Sequence, residues 1–391
     1  MKACLSLPGL FLASFRSGAS EDTHIKRQVG RNRQMKRTRV VRSRPRSRPR
    51  PLRVLMVTSD WPDPAVPRTT AFIRRQAEFV QRAGVDLEVF AFRGEKNPLN
   101  YLRAWRRFRR RLHAGRFDLV HAQFGQSGLL ALPKRIPLVV TLRGSDILGI
   151  VSDRDGRYSR AGRWLQRASQ LVAKCADAVI LVSPHLGDGL HTRAPQHVIP
   201  SGIDFTLFRP IPRDEARTQL GLDLGERLVL FVGRPHQARK RCALAKQAVE
   251  LLNERLPARL VVAWNIPHHQ MPLYMNACDA LVFTSMQEGS PNAVKEALAC
   301  DLPVVSVRVG DVPERLRHVA GCELCIDDQP ATIAAALERV LTRGGRVAGR
   351  AAVQHLDENV LTAKVLRVYR SVLRGRNSRR NHFGSTSNAS K

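Results

Sequence analysis

The stretch C-D-A-L-V-F-T-S-M-Q-E-G-S-P-N-A-V-K-E-A-L-A-C (278–300) decides how this chain folds. Its first eight residues are an apolar run of strand length. From Pro291 to Cys300 the apolar spacing turns helical, with Ser290 placed to cap the helix and Pro291 suited to its first position. A strand running straight into a helix is the unit of a doubly wound α/β sheet. Glu288 falls on the connecting loop and Glu296 on the helix wall, with the helix N-terminus between them. Free backbone N–H groups there favour an anion, and the two carboxylates can accept hydrogen bonds from sugar hydroxyls. Gly289 leaves room for a ligand to approach the backbone. A capped surface helix with two exposed acids is the plainer reading of the pair taken alone.

The same unit recurs in both directions. Upstream, L-R-V-L-M-V-T (52–58) has the continuous apolar character of a buried parallel strand, and a helix is expected over 69–83, closed by Gly84. V-D-L-E-V-F-A-F (85–92), F-D-L-V-H-A-Q-F (117–124), P-L-V-V-T-L-R (137–143) and D-A-V-I-L-V-S (177–183) follow as strands. A second series begins at R-L-V-L-F-V-G (227–233) and continues through 258–264, 280–285, 302–307 and 322–326. The I-P-S-G-I-D-F-T-L-F-R-P segment (199–210) lies between the two series and is expected to be the hinge. The predicted organisation is an extension over 1–51, an N-terminal Rossmann-like domain over 52–205 and a C-terminal one over 206–356. A closing helix over 357–374 and a disordered polar tail over 375–391 complete it.

The run 288–314 resembles the donor-site segment of retaining, nucleotide-sugar-dependent glycosyltransferases of family 4, which have the GT-B fold of two Rossmann-like domains facing a cleft. The resemblance covers residues 52–373. It implies that Glu288 takes hydroxyls of the transferred sugar and Glu296 the nucleotide ribose, with Gly289, Ser290, Asn292 and Ala293 lining the sugar phosphate. It favours front-face transfer over a covalent role for Glu288. V-G-R-P-H-Q-A-R-K-R (232–241) is similar to the family's Arg/Lys element, which implies that Arg234 and Lys240 clamp the donor diphosphate. A leaving diphosphate needs positive charge, and Arg and Lys can supply it without a metal. No metal or other cofactor is therefore expected beyond the nucleoside-diphosphate sugar as substrate.

T-L-R-G-S-D-I (141–147) looks like the family's H-G-x-D turn, with Arg143 where many members have His. Gly144 and Asp146 match, so the resemblance puts Asp146 with the catalytic residues, while a tight turn with a capping Asp stays open. Arg143 is instead expected to meet an anionic donor or acceptor group. Thr69 and Thr70 replace the family's Gly-rich turn after the first strand. His121 reads more naturally as a structural histidine than as a functional one.

The formal net charge is +32, and residues 1–50 hold 14 Lys or Arg against two acids. The R-S-R-P-R-S-R-P-R-P run (42–51) is expected to be extended, and Met35 is a candidate alternative start. Such charge favours anionic lipid, nucleic acid or acidic polymers. In 101–113, Tyr101, Trp105, Phe108 and Leu112 share one helical face, with arginines, Arg106 and Arg109 among them, over much of the rest. The stripe either packs into the core or, as in related enzymes with lipid-linked acceptors, docks on anionic lipid through Trp105, Phe108, Arg106 and Arg109. Seven cysteines at scattered positions point to reduced thiols, and no apolar run reaches the roughly 20 residues of a membrane span. The expected partners are a nucleotide sugar, a glycan or lipid-linked acceptor and an anionic membrane surface. The expected location is the cytoplasm, peripheral on the inner membrane. Other readings are an epimerase of the same fold, a polyanion- or nucleic-acid-binding protein, and an inactive scaffold. No nucleic-acid recognition module accompanies the charge.

Overall fold

The computed structural model describes residues 50–62, 71–95, 97–152 and 157–386, with side chains through residue 376. The Arg/Pro-rich extension up to residue 49 and the Thr69-Thr70 pair lie outside the described residues.

Eleven strands are seen among the described residues, in two all-parallel sheets. The first holds β1 (Arg53–Thr58), β2 (Asp86–Ala91), β3 (Leu119–Gln123), β4 (Leu138–Leu142), β5 (Ala178–Leu181) and β6 (Gln196–Val198), in spatial order 2-1-3-4-5-6. The second holds β7 (Leu228–Val232), β8 (Arg259–Ala263), β9 (Ala280–Phe283), β10 (Val304–Ser306) and β11 (Glu323–Leu324), in order 11-10-9-7-8. The chain is thus two Rossmann-like domains, as its strand pattern predicts. Alternate residues of β1 serve opposite faces: Val54 and Met56 join one core cluster, Leu55 and Val57 the other. A strand covered on both faces must be apolar throughout, which is why it reads as an unbroken run.

The segment between the sheets is pinned from several sides. The Lys295 ammonium donates to Ser201 O at 2.8 Å, Arg75 donates to Gly202 O, and Arg350 reaches Phe205 O and Phe208 O. A Cβ on Gly202 would stand 2.7 Å from Glu358 Cα, so only glycine fits against the start of the last helix. That helix, Glu358–Thr386, returns to the first domain. Its Tyr369 is fully buried and meets His121 of β3, and Glu358 pairs with Arg75 of the helix Ala71–Arg82 at 3.1 Å.

Two expectations are corrected here. Residues 375–386, expected to be disordered, continue the last helix. Once a helix is nucleated each further residue adds a hydrogen bond, and no proline interrupts this stretch. Ser290 does not cap the helix that follows it. The helix is Asn292–Ala299, Pro291 occupies the cap position, and the Ser290 hydroxyl donates to Asp311 Oδ2 at 2.8 Å. All six cysteines among the described residues are free thiols.

Candidate active site

The two domains enclose a cavity of about 650 Å³ at the C-terminal ends of their strands, where open α/β sheets bind ligands. The first domain contributes Phe72, Arg143 and Gly144. The second contributes Gly233, Arg239, Lys240, His268, the loop Glu288–Ala293 and Glu296. A second cavity of about 470 Å³ lies between Lys134, Asp177 and Val372 and holds none of the motif residues.

Glu288 is the electrostatic centre. Lys240 Nζ lies 2.7 Å and Arg239 Nη1 2.6 Å from its Oε1. Burial alone would raise the Glu288 pKa, but these two cations outweigh it and hold the carboxyl below its ordinary range. Burial lowers the Lys240 pKa, against the pull of Glu288. Glu296, also buried, accepts from His268 Nε2 at 3.2 Å and has Arg75 Nη1 at 3.6 Å. Burial raises its pKa, and the hydrogen bond and charge of His268, with Arg75, more than reverse that. Both acids are therefore carboxylates at neutral pH.

The Arg143–Asp146 turn closes the opposite wall. Asp146 is 1% exposed and accepts from the backbone N–H groups of Gly125, Arg143 and Gly144 at 3.1, 3.0 and 2.9 Å. Burial raises its pKa against those bonds. It lies beneath the turn and does not line the cavity, so its placement among the catalytic residues is corrected: Asp146 positions Arg143 and Gly144. Gly289 lines the cavity and also meets the opposite domain. A Cβ there would stand 2.4 Å from Arg143 O, so its bareness serves the contact between the two domains as well.

Of the other expected residues, Ser290, Asn292 and Ala293 line the cavity, and Asn292 Oδ1 is buried without a hydrogen-bond partner. Lys240 is in place, but Arg234 is not beside it. Its guanidinium is exposed, 5.1 Å over the Trp264 ring. Arg239 holds the place expected for Arg234. Motif spacing pointed to Arg234 and passed over Arg239, its neighbour in the same basic run. His268 lies 28 positions from Glu296, and no local pattern joined them.

The basic helix Pro98–Ala114 corrects the docking residues. Phe108 is fully buried against Phe90, with ring centroids 5.3 Å apart, and Trp105 donates to Leu132 O at 2.8 Å. Arg109 is buried and donates to Pro133 O at 2.9 Å. The stripe packs into the core, and of the four expected residues only Arg106 faces out. What the helix does expose is Leu99 (60%) and Leu102 (44%); the helix Arg160–Cys175, whose Trp164 ring meets that of Tyr101 at 5.7 Å, exposes Trp164 (48%) and Leu171 (50%). Arg103, Arg106, Arg110, Arg160, Arg163 and Arg167 are exposed on the same two helices.

Residues 38–207 match the model of Glycosyltransferase Family 4, and residues 264–343 that of Glycosyl transferases group 1. Together these matches cover more than half of the chain and both walls of the cavity. The chain belongs to the family 4 glycosyltransferases. It is 30% identical over 219 residues to TuaC of Bacillus subtilis (strain 168), a glycosyltransferase provisionally assigned to teichuronic acid biosynthesis. That match takes in 50% of this chain and about half, 54%, of TuaC. The D-inositol 3-phosphate glycosyltransferase 1 of Catenulispora acidiphila is 26% identical over 67% of this chain and 74% of its own. Among solved structures, sucrose-phosphate synthase from Thermosynechococcus elongatus superposes with a TM-score of 0.67 at 19% identity, over 83% of this chain and all of that one. Anabaena Alr3699/HepE, solved in complex with UDP and glucose, gives 0.58 at 17% identity, over 82% of this chain and all of that one. These likenesses show the GT-B fold. Among the described residues no helix is long and apolar enough to cross a membrane.

Proposed function

We propose that this family member transfers a sugar from a nucleoside-diphosphate sugar to a glycan or lipid-linked acceptor, with retention at the anomeric carbon. The observation that carries the reading is the convergence of Lys240 and Arg239 on Glu288 in the interdomain cavity. Lys240 and Arg239 hold the diphosphate and take up the charge that develops as its bond to the sugar breaks. Arg234 joins them by leaving Trp264. An exposed cation–π contact is worth only about 0.5–1 kcal/mol, less than the about 1.5–3 kcal/mol of a hydrogen bond to a charged group. With this much protein charge on the leaving group, the step needs no metal. Glu288 binds hydroxyls of the transferred sugar and Glu296 the ribose. A carboxylate held by two cations is a weak nucleophile, which favours front-face transfer over a covalent intermediate. HepE, with its bound UDP, makes a uridine nucleotide the first donor to try.

The enzyme works on an anionic membrane surface, peripherally, on the cytoplasmic face. Leu99, Leu102, Trp164 and Leu171 are exposed apolar residues on two helices that also expose arginines, which is the chemistry of an interfacial surface. Two measurements test this reading. Incubation with labelled UDP-sugars and acidic-lipid vesicles should give a glycosylated product whose anomeric configuration, read by NMR, matches the donor. Sedimentation with vesicles should require anionic lipid and weaken in Leu102→Glu and Trp164→Glu. An inverted product would refute retention, and equal binding to zwitterionic vesicles would refute the docking surface.

A further inference from the structure

Arg143 stands in the cavity wall with its charge unmatched. Its Nε and Nη2 donate to Gln123 Oε1, Nη2 also to Gln76 Oε1 at 2.9 Å, and Nη1 to Ser201 Oγ at 2.8 Å. The Phe72 ring lies 4.7 Å from the guanidinium carbon. Every partner is neutral, and one Nη1 proton is left uncommitted. Among the described residues no carboxylate stands within ion-pair distance of it. The other cavity cations differ: Lys240 and Arg239 each lie against the Glu288 carboxylate. Asp60 also lines the cavity. Burial, relieved by the more distant charges of Asp146 and Glu358, brings the guanidinium down to about 10. Taking such a group out of water with no counter-ion is unfavourable, so a fixed, unmatched guanidinium in a cleft marks a place for an anion.

Its position narrows the choice of anion. A Cβ on Gly144 would lie 3.2 Å from Gly289 N, and one on Gly289 would lie 2.4 Å from Arg143 O. The Arg143 turn and the Glu288 loop thus meet backbone to backbone, and Arg143 and Glu288 line one cavity. A sugar that Glu288 holds by its hydroxyls shares that cavity with Arg143.

We infer that Arg143 is a specificity-determining residue that pairs with a carboxylate on the transferred sugar, so that the donor is a nucleoside-diphosphate hexuronic acid. This rests on the donor reading proposed above. A hydroxymethyl group would leave the guanidinium charge unanswered, whereas a carboxylate answers it and accepts the spare Nη1 proton. An anion on the acceptor instead of the donor is the competing source.

Calorimetric titration of the full chain with UDP, UDP-glucose and UDP-glucuronic acid, and with GDP, GDP-mannose and GDP-mannuronic acid, tests it. In the series that binds, the uronate should bind at least about tenfold tighter than its neutral partner, the ratio one charge-assisted hydrogen bond supplies. Arg143→Gln should bring that ratio close to one, and Arg143→Lys should keep part of it. The wild-type ratio decides even if the glutamine variant does not fold. Equal or weaker binding of the uronate, with the nucleotide and neutral sugar bound, overturns the inference, assigns the anion to the acceptor and leaves the donor reading intact. A ratio that survives Arg143→Gln overturns it too. If neither nucleotide series binds, both readings fall together.

Discussion

His121 makes two short contacts in the core, Nδ1 to the Tyr369 hydroxyl at 2.6 Å and Nε2 to the Thr141 hydroxyl at 2.7 Å. Burial first, and the nearby Arg143 charge second, push it from an ordinary 6.5 to about 3. Between those values the unfolded chain binds this proton and the folded one does not. The stabilising contribution is therefore complete above pH 6.5 and is lost as pH falls toward 3. Urea unfolding from pH 7 to pH 4 should show stability dropping by up to about 1.4 kcal/mol per unit from this residue. His121→Gln should remove that part of the slope, and an unchanged slope would contradict the burial account. At this scale the site was half legible. Glu288, Glu296 and Lys240 were named through the resemblance of two short local runs, 288–314 and 232–241, to the family's motifs. Arg239 and His268 were not, because what selects them is approach from separate segments. Ser290 shows the same limit: its cap expectation was local, and Asp311, 21 positions away, took the hydroxyl.

The helix Pro98–Ala114 carries the lesson for elements. Its spacing placed Tyr101, Trp105, Phe108 and Leu112 on one face, and the structure keeps them on one face. Periodicity alone gives a stripe and not what covers it. Here Phe90, Phe92 and the Leu132 carbonyl do so. Phe108→Ala should cost about 3–5 kcal/mol in a urea titration, as for other large-to-small core changes. Leu102→Glu, on the exposed side, should change stability by less than about 0.5 kcal/mol. The reverse order would mean the helix is turned the other way. The apolar strands were readable because burial on both faces leaves no polar alternation to confuse them. β6 was missed because it has only three residues, none of them buried, at the edge of its sheet. Asp301 has a φ of 57°, a left-handed position that an aspartate tolerates better than most residues.

In the whole molecule, bare backbone brings the two domains together. A Cβ on Gly289 would stand 2.4 Å from Arg143 O and one on Gly144 3.2 Å from Gly289 N, and His185 Nε2 reaches Glu288 O at 3.2 Å. Gly289→Ala should push the walls apart, cost about 1–3 kcal/mol as overpacking does, and raise the radius of gyration measured by small-angle scattering. An unchanged radius and melting temperature would mean that the domains do not meet there in solution. The two-domain plan was legible because each strand–helix unit announces itself. The closure was not, since it depends on which glycines meet across the cleft. The central claim is that this interdomain cavity holds a nucleoside diphosphate on Lys240 and its neighbours. The most direct measurement is the thermal shift of wild type and Lys240→Ala with a panel of nucleoside diphosphates and their sugars. The account predicts that one nucleotide series stabilises the wild type by several degrees and that Lys240→Ala, itself folded, loses the shift. No shift with any nucleotide, or an equal shift in the variant, would contradict it.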